Sequence, residues 1–346
     1  MRWRALALTL TTLTILTIIA TYTPILHNPS THISTNHTTL ALNATAYLTI
    51  YKIVNGRKIL VYRGIDPPTR NFWSLLLYLA FHHNDDIGVV TTDGTSYPYT
   101  WLPFRRAPHY VCIGTGSTPS NVFDLYNLVS PLACEGVNNA YSETQVSSGY
   151  VVTVDSRALF TFSGSHSITE IGVEADETHR KKLLLFYTHL PQPIEVNSTT
   201  ALLVDYKFVI HVTEPMLLPF ARLVAVIATG SGHNVPNEAW FSDERYVHVC
   251  FAPYQAYTPL LTHPSSCIDD VNPMGMRIAS INATVLNLEM FISPSKNITA
   301  GGAFVELRVA YTTPQDLDLF YVPLSSSGIE ISTDKYLDLD IVLRVS

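Results

Sequence analysis

The sequence predicts an all-β protein of two tandem β-sandwich domains that follow an N-terminal hydrophobic segment. Three observations carry this reading. Runs such as VDYKFVIHV (residues 204–212) and LDLDIVLRV (337–345) alternate apolar and polar residues, the period of a half-buried strand. Pro and Gly punctuate the strand-like runs at intervals of about ten residues, the spacing of a sandwich or barrel. A long pattern also occurs twice, over residues 158–212 and 288–345.

Each copy of that pattern holds a Leu-x-Leu-Phe-Tyr segment, then Ile-Glu-Val or Ile-Glu-Ile, a turn and a closing run. Phe186-Tyr187 and Phe320-Tyr321 are offset by 134 residues, and Val212 and Val345 by 133. Self-similarity at one long period implies duplication of a unit large enough for its own core. The expected units are residues 46–213 and 214–346. Before them lie a signal peptide or membrane anchor (1–26) and a polar Thr/Ser/Asn-rich stalk (27–45).

The N-terminus reads as an export signal. Arg2 and Arg4 precede an apolar and threonine run over 5–20. Basic flanks hold that end in the cytoplasm and send the rest across. A retained anchor and a cleaved secretory peptide both fit this end. Asn-x-Ser/Thr sequons at Asn36, Asn43, Asn197, Asn282 and Asn297 suit an exported glycoprotein, whereas Asn28 is followed by Pro29. The net charge of −7 gives no basic footprint for nucleic acid and opposes adsorption to anionic lipid.

The four cysteines fall into two local pairs, Cys112 with Cys134 and Cys250 with Cys267, at matching places in the two copies. In an exported chain this spacing predicts disulfides, and it lacks the close Cys and His ligands of a zinc site. Along the chain, Asn55-Gly56 between β-rich runs predicts a type I′ hairpin within 46–64. The nearly continuous apolar run 71–82 fits a short buried helix or a core strand, and its counterpart 220–229 is more β-branched.

Several clusters carry residue types suited to chemistry. His82, His83, Asp85 and Asp86 resemble metal ligands, but a solvated loop explains them as well. Asp243, Glu244, Asp269 and Asp270 offer oxygen ligands without an EF-hand loop. Gly114-Thr115-Gly116 lacks the remainder of a nucleotide-binding motif. Glu170, Glu174 and Asp205 are carboxylates of the kind a glycosidase pairs, with nothing in the sequence to mark them as a pair. Trp73, Tyr97, Tyr99, Trp101 and Trp240 are candidate sugar platforms or core residues. No cofactor, metal or catalytic residue is expected.

The run YVCIGTGSTPSNVFDLYNLVSPLA (110–133) is followed by Ile168-Thr169-Glu170-Ile171-Gly172, Leu184-Leu185, Leu190, Pro193-Ile194 and the closing run 204–212. Over residues 46–212 this order resembles the β-rich fibre- or tail-type structural modules of tailed viruses. The resemblance implies an all-β module that builds or decorates a surface, with no catalytic residues to carry over. Export, sequons and paired cysteines depart from a virion protein assembled in the cytosol. The expectation is therefore an extracytoplasmic structural or adhesive cell-surface protein, such as a subunit of a filament or layer. It would hold the membrane through its N-terminal segment and meet surface glycans or copies of itself. A secreted carbohydrate-active enzyme or carbohydrate-binding protein, and a viral structural protein, are the alternatives.

Overall fold

The computed structural model describes residues 38–81, 88–97, 109–176, 182–230, 245–262, 264–309, 316–334 and 336–345. The fold is all-β with two short helices. Its frame is a large sheet that begins with β1 (Thr38–Val54) and β2 (Arg57–Ile65). Asn55 and Gly56 join them, both with positive φ (50° and 75°), as a type I′ turn requires. To these the first half adds β7 (Asn138–Val146), β8 (Gly149–Thr161) and β11 (Thr200–Val212). The second half adds β14 (Gly275–Ile281), β15 (Val285–Ile292) and β20 (Leu337–Val345). The strand order is β14-β15-β20-β1-β11-β8-β7, with β2 also on β1.

Each half also builds a four-stranded sheet. In the first half β5 (His109–Gly114), β6 (Pro131–Gly136), β9 (His166–Asp176) and β10 (Lys182–Val196) run in the order β10-β9-β5-β6. In the second half β12 (Arg245–Ala252), β13 (Asp269–Val271), β17 (Gly302–Val309) and β18 (Asp316–Pro323) run β18-β17-β12-β13. The small pairs β3 (Val89–Val90) with β4 (Ser96–Tyr97) and β16 (Ile298–Ala300) with β19 (Ile329–Ile331) complete the set. Buried residues of the large sheet (Leu48, Ile50, Phe160, Val204) and of the β5–β9–β10 sheet (Val111, Ile171, Ile194) meet in one cluster.

The apolar runs that fit either a helix or a strand are both helices, α1 (Arg70–Phe81) and α2 (Leu218–Thr229). Periodicity could not decide, because both helices are buried on nearly every face. The β-branched Val224, Val226 and Ile227 do not prevent α2. Pro219 stands in its first turn, and Gly230 closes it in the left-handed conformation with its N–H on Val226 O, 2.8 Å away. The two helices lie in equivalent surroundings. Phe72 of α1 packs on Phe186 of β10 (centroids 5.0 Å), and Phe220 of α2 packs on Phe320 of β18 (4.8 Å). Tyr187 N donates to Pro67 O, as Tyr321 N does to Pro215 O.

The segments 46–213 and 214–346, expected as separate domains, share one sheet and one buried cluster. Phe81 of α1 contacts both Phe220 and Phe320 of the other half, at 5.9 and 6.5 Å. β1 makes the junction, antiparallel to β11 over residues 43–54 and parallel to β20 over residues 38–44. The expected stalk 27–45 is therefore too long at its C-terminal end. Residues 38–45 are strand, and Leu42 and Ala44 are buried in the shared core. They read as stalk because Thr and Asn face outward between them. The N-terminal run 5–20, with the anchor or signal assigned to it, lies outside the described residues, as does Asn36. Among the described residues no helix is long and apolar enough to cross a membrane.

A chain beginning at residue 38 is expected to unfold in one transition. A chain beginning at residue 46 loses the parallel ladder and the burial of Leu42 and Ala44, which amounts to roughly 3 kcal/mol from side chains alone. Urea denaturation of the two should show a clearly lower midpoint for the shorter chain. Equal midpoints would contradict the β1–β20 pairing.

Candidate functional site

The structure closes Cys112–Cys134 and Cys250–Cys267 as disulfides, with Cα separations of 4.0 and 5.3 Å. Cys112 and Cys134 are directly opposed on β5 and β6. Cys267 lies just before β13 and faces Cys250 of β12. The sulfurs of Cys112 and Cys134 lie close to the Glu174 carboxylate. Bonded to each other, they offer no thiolate to a metal. Glu174 is 3.5 Å from Lys182, and its burial raises its pKa against that cation's pull.

The motifs that carried the resemblance form a structural clasp. Glu170 of β9 is fully buried and accepts from the backbone N–H groups of Gly116 (2.9 Å), Val129 (2.9 Å) and Ser130 (2.7 Å). Tyr187 Oη donates to it as well, at 3.1 Å. A loop whose N–H groups could have cradled a phosphate is thus filled by the protein's own carboxylate. A Cβ on Gly114 or Gly116 would lie 2.4 or 2.5 Å from Glu170 Oε1, which explains both glycines. In the second half Gly302 stands in place of Glu170, and Tyr321 fills the space. Its Oη accepts from Gln255 N at 2.8 Å, so the tyrosine takes over the pinning of the equivalent loop, which Leu218 N also holds through Pro259 O at 2.8 Å.

Glu170, Glu174 and Asp205 are not brought together. The two glutamates are four residues apart on one strand, ~13 Å by strand rise, and Asp205 sits on β11 of the other sheet. Asp269 accepts from Ser295 N (2.6 Å) and Oγ (2.5 Å), while Asp270 turns to other partners, so the two share no ligand set. His82, His83, Asp85, Asp86, Asp243, Glu244, Tyr99, Trp101 and Trp240 lie outside the described residues. Trp73 is wholly buried in α1 and is no sugar platform, and Tyr97 is partly buried on β4. Asn43, Asn197, Asn282 and Asn297 are exposed. Asn197 and Asn282 lie in turns where the sequon threonine, Thr199 or Thr284, donates its hydroxyl to the Asn Oδ1 at 2.8 or 3.2 Å.

Two buried polar groups escaped the sequence reading, because their partners come from other strands. His248 of β12 is held between Asp270 (Nδ1–Oδ1, 2.5 Å) and Glu306 (Nε2–Oε2, 2.9 Å). Arg308 Nη1 is 3.0 Å from the other Asp270 oxygen. Burial works to raise the Asp270 carboxyl, but His248 and Arg308 outweigh it and hold its pKa below the usual value. Asp66, just after β2, is fully buried with Thr188 Oγ1 donating to it at 2.7 Å. Burial pushes its pKa up to about 7, against the pull of that hydrogen bond.

The open candidate site lies on the outer face of the large sheet, a groove of about 330 Å³ across β2, β1, β11 and β8. Strand alternation sends Tyr47, Thr49 and Tyr51 of β1 to this face. Thr49 is directly opposite Arg63 of β2 on one side and Asp205 of β11 on the other. Arg157 Nε of β8 reaches Asp205 at 3.2 Å, and Lys207 Nζ lies 3.8 Å from Asp155. The site can offer aromatic faces, hydroxyls and charges of both signs. It holds no nucleophile–base pair among the described residues.

Replacing Glu170 by Ala should free three loop N–H groups and cost roughly 3–5 kcal/mol. The amides of Gly116, Val129 and Ser130 should then lose hydrogen-exchange protection. Tyr187→Phe should cost less, about 1 kcal/mol. Intact protection in the Ala variant would show that the clasp does not hold the loop.

Asp66 has a folded pKa above its unfolded value. Its contribution to stability is therefore full below about pH 4, declines as pH rises, and is lost above about pH 7. The difference is roughly 4 kcal/mol at most. Asp66→Asn keeps an acceptor for Thr188 and should flatten this decline in melting temperature between pH 4 and 8. A variant that declines as steeply as the parent would place the titration elsewhere. No family model matches the sequence, and no characterised protein or solved structure is detectably similar to it, so the site stands on its own geometry.

Proposed function

We propose that this chain is an extracytoplasmic structural or adhesive surface protein, held at the membrane by its N-terminal segment. The observation that carries the reading is the pair of disulfides, one at the same place in each half. Disulfides of this kind persist in oxidising compartments and are rare in the cytosol. The exposed asparagines of four sequons fit the same compartment.

We infer further that the halves arose by duplication of one sandwich-like unit. Matching sheet orders, matching Phe-Phe and Tyr-Pro contacts and matching disulfides support it. β1 completes its own sheet, which favours a self-contained folded body over a subunit that lends this strand to a neighbour. The β2 edge carries Arg57, Lys58 and Arg63, charges that discourage edge-to-edge pairing. A carbohydrate-binding role is the second reading, favoured by the tyrosine-flanked groove.

Labelling of intact native cells with an impermeant amine reagent, followed by non-reducing peptide mapping, tests the proposal. The expected result is a labelled chain with Cys112 linked to Cys134 and Cys250 to Cys267. An unlabelled chain with four reduced thiols in the cytosolic fraction would overturn it.

A further inference from the structure

We propose that the groove on β1 is a binding site for an acidic saccharide, a glycan bearing uronic-acid carboxylates. The inference deepens the adhesive reading by naming a ligand class, but its test on purified protein does not depend on where the chain resides.

The shape follows from strand geometry. Tyr47 and Tyr51 stand four residues apart on the same face of β1, ~13 Å along the strand, with the small Thr49 between them. A small side chain between two large ones leaves a notch floored by the Thr49 hydroxyl and walled by two rings. Tyr47 is 42% exposed, which is unusual for a ring near the middle of a sheet and leaves its surface open to a ligand. Sugar rings present apolar C–H faces to aromatic rings and hydroxyls to charged groups, and this notch provides both.

Charge selects the ligand. The groove holds Arg63, Arg157 and Lys207 against Asp155 and Asp205, a net charge of +1 on a chain of −7. Arg157 and Lys207 are engaged by Asp205 and Asp155. Arg63, by contrast, makes no ion pair among the described residues, and it stands across from Thr49 at the mouth of the notch. Its planar guanidinium matches a carboxylate in bidentate fashion. Asp205, fixed by Arg157, faces Thr49 from the other side and can accept from sugar hydroxyls. A neutral sugar would leave Arg63 unused. An acidic peptide, or any anion without an apolar ring face, would leave the tyrosines unused. A carboxylated sugar ring satisfies both sets.

The test is calorimetric titration of the purified full-length protein with a hexamer of galacturonic acid. A neutral galactose hexamer and a hexaglutamate peptide serve as comparison ligands. The uronate should bind, weaken with added salt, and outcompete both others. Arg63→Gln should weaken it by about tenfold, the scale of one lost charge-assisted hydrogen-bonded pair. Thr49→Tyr fills the notch with a third ring, removes no charge and should abolish binding. Lys296→Gln, in the turn before β16, should change nothing. The proposal is overturned if the uronate does not bind, if it binds the Arg63 and Thr49 variants as tightly as the parent, or if hexaglutamate binds equally well. The last result would mark an acidic-peptide surface instead.

Discussion

The structure depends on where the backbone hydrogen bonds of β1 go. A buried strand must pair on both edges, because an orphaned N–H or C=O in the interior is costly. β1 meets this by giving one edge to β11 and dividing the other between β20 and β2. The sheets of the two halves thereby become one. The parallel contact with β20 joins the first described strand to the last, so the large sheet is complete only when both ends of the described chain are in place. The helices strengthen the same junction from the core side, where Phe81 meets Phe220 and Phe320.

The halves solve one packing problem in two ways. The loop after β5 and the loop after β12 must both be tied to a sheet that a disulfide already pins. In the first half a buried carboxylate takes three loop N–H groups, and Tyr187 donates to it. In the second half Gly302 removes that carboxylate, and the ring of Tyr321 occupies its place and accepts from the loop directly. The tyrosine is common to both because its position in the Leu-x-Leu-Phe-Tyr strand is common. The anion is what differs. A Gly-Thr-Gly turn in this fold is thus explained by an internal ligand.

Much of the fold was legible in the sequence. The period-two alternation of 204–212 and 337–345 is the burial alternation of β11 and β20. Asn55-Gly56 marked its hairpin because its backbone conformation is demanding. The helices were ambiguous because complete burial erases the amphipathic signal. The end of the stalk was misplaced because Thr and Asn on the outer face of β1 look like linker. The Asp270–His248–Glu306 row and the groove could not be read as assemblies, although Asp270 and Asp205 stood out singly. Each is assembled across strands distant in sequence, and register is set only when the sheet forms. Of the groove's residues the sequence singled out only Asp205, as a carboxylate without a marked partner.

The groove and the junction lie on one strand: Leu42, Ala44 and Ala46 of β1 enter the core that the two halves share, and further along the strand Leu48 and Ile50 enter a core built by the first half. Leu48 and Ile50 face inward while Tyr47, Thr49 and Tyr51 face out. The groove is backed by the first half's core, and the same strand continues into the union of the halves. Native-state hydrogen exchange at increasing denaturant addresses that union most directly. The account predicts that the amides of Leu42 and Ala44 in β1, Val204 in β11 and Leu343 in β20 share one opening free energy, equal to that of global unfolding. Exchange of Leu343 and its half through a separate opening of lower energy, with β1 and β11 still protected, would contradict it.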